Sequence, residues 1–444
     1  MTWRQKYPDK FVDLTTAVAG IPPNSNIAAP PASSFPLELV NALSAREDLA
    51  GTQLQSGLLM RLPDFMSPEQ KGRIMYKSFF LGPLERMIRD TVPIDAISIH
   101  FSRLHEAIGS KKYDAVLLEV SPPDVNGNMS LGPMGTLAGR AMIQAAKLVI
   151  AQINPRVPFI YGTHAHVHMD EVDMVCECNR PLFEAPDAQP DAMEEKIADI
   201  ISERIPDGAT IQLGIGRLAN AIGERLLQKK DIGIHSEMLT PSLIRLMKEG
   251  VATGAKKELH PGQAIGGFTI GSQADYDFLH KNGNIQFYPV SYVNDPRVVA
   301  KHSNFISVNN SLTIDLTGQA VSESIGFNQF SGTGGQLDFV RGARMSKGGM
   351  SFLALKSTAG SEENPISRIQ CTLNPGSVVT TPRSDVQYIV TEYGIADLDK
   401  KSIPERVRAM ISIAHPMFRG DLAREAMESG LVTLADLRSQ KSAA

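Results

Sequence analysis

Glu237, in the segment GIHSEMLTPSL, is the residue of this chain whose type and setting point most directly to chemistry. It follows the short apolar run 232–234 and precedes Thr240 and Pro241, which read as the N-cap and first turn of a helix ending at Gly250. That order predicts a loop at the carboxyl end of a strand, where open α/β sheets place their ligands. A carboxylate there can serve as nucleophile, general base or ribose ligand, or it can be a solvated loop glutamate. A second segment, GTGGQLDF, brings Gly332, Gly334, Gly335 and Gln336 together. Its unobstructed N–H groups can hold a developing oxyanion, and the same composition also suits a plain turn between strands. The third segment, LGIGRLANAIGERL, carries Gly214, Gly216 and Ala219 at a spacing close to the dinucleotide fingerprint. A nicotinamide site would also need an acid ~20 positions on, at the end of the next strand. Asp231 precedes that strand and Glu237 follows it.

Metal chemistry is less well supported. His164, His166 and His168 alternate, so that a strand would set them on one face, but they lack a carboxylate at helical HExxH spacing and read better as structural or pocket-lining residues. Cys176 and Cys178 are too closely spaced for the usual zinc pattern and have no second pair. No metal is expected. Arg406, Arg408, Arg419 and Arg424, among leucines and alanines, read as the solvated face of terminal helices.

The elements that would position these residues alternate. Apolar runs at 96–101, 115–120 and 148–154, with the helix-like LAGRAMIQAAK between the last two, predict α/β structure with mostly parallel, buried strands. RPLFEAPDAQPD, from Arg180 to Asp191, has three prolines and no periodicity, and it sets a division into domains 1–182 and 192–444 with a linker at 183–191. Beyond it Asp191 and Glu194 have capping-box spacing, 210–213 reads as a strand, 214–216 as a turn and 218–227 as a helix. The two halves are of similar construction.

A chain of 444 residues is long for one core and suits two domains. Its net charge of -4 gives no electrostatic footprint for nucleic acid. No stretch approaches the ~20 apolar residues of a membrane helix, and the first residues lack the apolar core of a signal peptide. With 3 cysteines, too few for a disulfide framework, the expected compartment is the cytoplasm.

Taken together, VSPPDVNGNMSLG (120–132), GIHSEM (233–238), SLTIDLTGQ (311–319), SGTGGQLDFVRGA (331–343), VVTTPRSDVQYIVTEYGIADL (378–398) and IAHPMFR (413–419) resemble the acetyl-CoA hydrolase/transferase family. The likeness is to its 4-hydroxybutyrate and butyrate:acetate CoA-transferase branch, and it spans nearly the whole chain. The resemblance implies two open α/β domains with the active site between them, and Glu237 as the nucleophile. It also implies that Gly334 and Gly335 belong to a loop closing over the thioester. Gly214 and Gly216 then form a turn beside the catalytic loop. The implied reaction moves CoA from a short-chain acyl-CoA to a small carboxylate, with no permanently bound cofactor and with a homodimer as the expected assembly. Hydrolysis of the thioester is the alternative within the family; a nicotinamide-dependent oxidoreductase and a noncatalytic acyl-CoA binder are the alternatives outside it. Arg217 departs from the small or apolar residue usual after this turn, and its guanidinium can pair with the second carboxylate of an acid such as itaconate or succinate, unless it is a surface arginine at a helix start. Leu239, Thr240 and Pro241 also depart from the commoner continuation of the motif.

Overall fold

The computed structural model describes residues 2–70, 72–185, 189–361 and 363–438. The expected linker, 183–191, includes residues 186–188, which lie outside the described residues. Two large sheets form on either side of it. The first contains β1 Asn26–Ala28, β2 Thr52–Ser56, β3 Ile74–Ser78, β4 Ile94–Ala96, β5 Tyr113–Val120, β6 Ala146–Ile153 and β7 Met174–Glu177. Its order is β4-β3-β2-β1-β5-β6-β7, and every pairing is parallel. The second contains β8 Thr210–Leu213, β9 Gly233–Met238, β10 Ala264–Phe268, β11 Ile285–Phe287, β12 Phe305–Asn310, β13 Met350–Ala354, β14 Tyr388–Thr391 and β15 Gly394–Asp397. Its order is β11-β10-β9-β8-β12-β13-β14-β15, parallel except for the last pair. Numbered from its own first strand, the second sheet repeats the order of the first and adds one antiparallel edge.

The mostly parallel α/β architecture is the one expected. β5 is buried almost throughout and β6 over its last five residues, as strands covered on both faces must be. The helix between them, α1 Gly135–Ala145, buries Leu137, Met142 and Ile143. α2 Ala192–Ser202 starts at the anticipated capping box, where the Asp191 side chain accepts from the Met193 and Glu194 N–H groups. α3 Arg217–Leu226 and α4 Pro241–Lys248 follow, the latter capped by Thr240. Among the described residues, no helix is long and apolar enough to cross a membrane.

Two boundaries differ from expectation, and both lie at the site. The run 96–101 is not a strand: β4 ends at Ala96, and Phe101 opens a 3-10 turn. The backbone of His100 and Phe101 pairs instead with Gly334, far away in sequence, with Phe101 N–H donating to Gly334 C=O at 3.0 Å. A local apolar pattern cannot reveal such a partner. The strand expected at 232–234 runs instead over Gly233–Met238, so Glu237 is its penultimate residue and not a loop residue. His235 and Ser236 are fully buried there despite being polar, which hides the strand from a reading of apolar runs.

Apolar clusters join the two halves, and one of them includes Met238. Phe79, Phe101 and Leu104 from the first pack in it with Met238, Phe268 and Val290 from the second. Met238, next to the candidate nucleophile, is therefore anchored in a core to which both halves contribute.

Candidate active site

Glu237 leaves the end of β9 half-buried and reaches the Asn294 side-chain amide, which donates a short hydrogen bond to its Oε2. Burial pushes its carboxyl up to about 8; the Asn294 hydrogen bond works against this, and the negative charge of Asp338 adds to it. The unbound site thus holds Glu237 largely as the neutral acid at pH 7, although a nucleophilic role needs the carboxylate. Beneath it on the strand, the fully buried His235 donates its Nε2–H to Val293 C=O at 2.8 Å, directly before Asn294. Burial holds that imidazole well below its ordinary pKa, so it is uncharged.

Of Gly332, Gly334, Gly335 and Gln336, it is Gly335 that lies directly against this carboxylate. Gly335 is the N-cap of α5 Gln336–Met345, and no side chain caps that helix end. A helix begins with N–H groups that have no intrahelical acceptor, so this end can donate to an anion. A Cβ on Gly335 would collide with Glu237 Oε2 and the Asn294 amide. Gly334 is glycine for a different reason, its φ of 60°. Gly332 lies against Phe79 C=O and the Phe80 ring, where a Cβ would also collide. The Gln336 side chain donates to Thr381 Oγ1 at 3.0 Å. A cavity of about 810 Å³ opens beside this loop, lined from the first half by Ser98, His100 and Arg103 and from the second by Thr333, Leu337 and Val379.

The 214–216 turn occupies the end of β8, next to the strand that carries Glu237. Gly214 N–H donates to Val308 C=O at 2.8 Å, and Gly216, with φ at 106°, starts α3. Arg217 is 44% exposed and its guanidinium already has partners, Glu194 at 3.1 Å and Asp191 at 3.8 Å. These carboxylates stand close to the start of α3, where a dinucleotide site would place a pyrophosphate.

The three histidines keep separate company. His166 stacks on Phe159 with centroids 4.7 Å apart, and His168 contacts Asn126 C=O at 2.8 Å, while His164 sits at a φ of 61° outside the short strand that carries the other two. Cys178 does approach two acids, Glu38 and Glu119, but Arg180 supplies the positive charge there, 2.9 Å from Glu38 and 2.5 Å from Glu119.

Asn294 and Asp338 were not singled out from sequence. Asn294 lies in VNDP, where it reads as punctuation before the short helix at Pro296, and Asp338 reads as an ordinary acid in the first turn of a helix. Neither has a local pattern that would reveal its partner.

Comparison with known proteins identifies the family. Residues 1–183 match the acetyl-CoA hydrolase/transferase N-terminal domain and residues 271–426 the C-terminal domain of the same family. The chain is 37% identical to the 4-hydroxybutyrate coenzyme A transferase of Clostridium kluyveri, covering 96% of this chain and 99% of that one. It is 34% identical to the butyryl-CoA:acetate CoA-transferase of Anaerostipes caccae, covering 96% and 98%. RipA from Yersinia pestis superposes with a TM-score of 0.90 at 33% identity, covering 97% of this chain and all of that one. Matches to both halves of one family, in the family's order and over nearly the full length of its members, lead to one conclusion: this chain belongs to the acetyl-CoA hydrolase/transferase family.

Proposed function

We propose that this chain moves CoA from a short-chain acyl-CoA to a small free carboxylate through a thioester formed on Glu237. The observation that carries the reading is the position of Glu237, a half-buried carboxyl group held by Asn294 directly under the uncapped start of α5. Full-length relatives at 34% to 37% identity are CoA-transferases, and this chain is a CoA-transferase of the same broad kind.

As a carboxylate, Glu237 attacks the thioester carbonyl; the C–S bond breaks, CoA leaves as thiolate and an acyl-glutamyl anhydride forms. The thiolate then attacks the glutamyl carbonyl, the anhydride C–O bond breaks and the first carboxylate is released. CoA is now joined to Glu237. An incoming acid reverses the two steps, so thioester energy is conserved and the kinetics are ping-pong. The backbone N–H groups of Gly335 and Gln336 are the donors for each tetrahedral oxyanion, with the turns at Gly332 and Gly334 setting their direction. The cavity beside them accommodates the arm of CoA, whose binding far from the reacting bond supplies energy to the step itself. No bound cofactor is needed for this sequence. Water in place of the second acid would make the enzyme a hydrolase, the second reading that the family name itself includes.

The same proposal takes residues 1–182 and 192–444 as the two domains, a homodimer as the working assembly and the cytoplasm as the compartment. The last is supported by the three cysteines, all unpaired. The direct test is to load the protein with acetyl-CoA or succinyl-CoA, reduce with borohydride and map the product by mass. Modification is expected at Glu237, and an adduct confined to any other residue rejects the mechanism.

Gly214, Gly216 and Arg217 are proposed to line the acceptor's side of the pocket, with Arg217 exchanging Glu194 for the second carboxylate of a dicarboxylic acid. Arg217→Ala should then cost succinate or itaconate roughly tenfold relative to acetate or butyrate, the scale of one charge-assisted hydrogen bond. Equal losses for both classes of acceptor, or no loss, would remove Arg217 from the pocket.

A further inference from the structure

The loop that meets Glu237 belongs to the second half of the chain but is held from behind by the first. Phe101 N–H donates to Gly334 C=O at 3.0 Å, and Gly332 rests on Phe79 and Phe80. In the first turn of α5, the Asp338 carboxylate, 7% exposed, accepts from Ser102 N–H at 3.1 Å and from Ser102 Oγ–H at 2.8 Å. The first half contributes no nucleophile. What it contributes is a brace of hydrogen bonds on the loop that covers one.

We propose that Asp338 and Ser102 are positioning residues, a latch by which the first domain fixes the glycine loop, and with it the oxyanion donors, in register over Glu237. This rests on the reading of Glu237 as nucleophile. Two hydrogen bonds from Ser102 to the first turn of α5 are well suited to the purpose, because the N–H groups they orient begin only three residues earlier, at Gly335. An error of about an ångström in such donors is enough to lose much of their effect on a transition state.

The latch also carries charge. Glu237 faces Asn294, which is neutral, and Asp338, which opposes its ionisation. Asp338 in turn faces Ser102, His100 and Arg341, and Arg341 is already paired with Asp385 at 3.0 Å. His235, beneath Glu237, is uncharged. Activity per encounter, kcat/KM, must therefore rise with pH as free Glu237 loses its proton near pH 8. Asp338 helps to set that limb, so latch and nucleophile are coupled.

The test uses full-length Ser102→Ala, Ser102→Thr and Asp338→Asn with acetyl-CoA or butyryl-CoA as donor. Ser102→Ala should lower kcat about tenfold with KM little changed, in line with loss of a hydrogen bond to a charged group, and Ser102→Thr should restore it. Asp338→Asn should lower kcat and move the rising limb of kcat/KM to lower pH by half a unit or more. A merely structural Asp338 would weaken the fold but leave the limb in place. Wild-type kcat in Ser102→Ala overturns the latch, as does an unmoved limb in a folded Asp338→Asn; if that variant does not fold, the Ser102 pair decides alone. In either case the adduct on Glu237 would still form, whereas failure of the nucleophile assignment would show as no adduct at 237 in the wild-type protein.

Discussion

Glu237→Gln should lower turnover by roughly 10⁴-fold or more, the scale seen when a covalent nucleophile is removed, and should at the same time stabilise the fold. The amide has nearly the shape of the acid and can still accept from Asn294, so the site is not emptied. It has no anionic oxygen with which to form an anhydride, and no later step can begin. The gain in stability has a definite sign. In the folded chain the carboxyl titrates near 8, against an ordinary value of 4.5. Between those values the unfolded chain has released a proton that the folded chain keeps, so stability falls as pH rises through this window. The glutamine variant escapes that loss. Its advantage should be absent at pH 4, grow up to pH 8 and amount to at most about 5 kcal/mol, less any relief from solvent reaching the half-buried group. Thermal unfolding of both proteins at pH 4 and pH 8, alongside steady-state rates, checks both halves. A variant retaining a tenth of wild-type turnover, or one that gains no stability at pH 8, contradicts this account of the site. A loss of activity coupled to a gain in stability is what a charge buried for function predicts and what damage to a core residue does not.

How far such a site can be read from sequence depends on the range of the contacts that make it. Asp191 with Glu194, and Thr240 with Pro241, announce helix starts because a cap is satisfied within three residues. The alternation of strands and helices announces parallel sheets for the same local reason. Glu237 and Gly335 are found through their motifs, but what they do to each other is not, since Asn294 lies 57 positions from Glu237 and Ser102 lies 236 positions from Asp338. The misplaced strand at 96–101 has this cause too. Its apolar residues are real, but only Ala96 and Ile97 pair with Ser78 in the sheet, and the backbone of His100 and Phe101 is matched to the glycine loop. The extent of β9 was missed because buried His235 and Ser236 break the apolar run that normally marks a strand. Polar residues inside a sheet near a catalytic group are where local rules are expected to fail.

Gly335→Ala should cost turnover about 10²- to 10³-fold while leaving the protein folded, the effect of disabling oxyanion donors and nucleophile together. The reason lies in what the missing side chain makes room for. Gly335 has φ −101° and ψ 5°, a conformation open to alanine, so the backbone itself does not require glycine. A methyl group would collide with the Glu237 carboxylate and the Asn294 amide. Both obstacles are ends of side chains, and they can be pushed aside at less cost than displaced backbone. The fold should therefore survive with Glu237 turned away from Asn294 and from the thioester. Gly334→Ala makes the contrast, because there the left-handed φ of 60° is the constraint and the nearest atom to a new Cβ is 3.6 Å away. That substitution should cost about 1 kcal/mol of stability and affect the rate of adduct formation less than Gly335→Ala does. Single-turnover formation of the Glu237 adduct, measured beside thermal unfolding, separates the two. If Gly335→Ala forms adduct at the wild-type rate, the loop does not close on the nucleophile; if it unfolds as readily as Gly334→Ala while staying active, the glycine serves the fold and not the reaction.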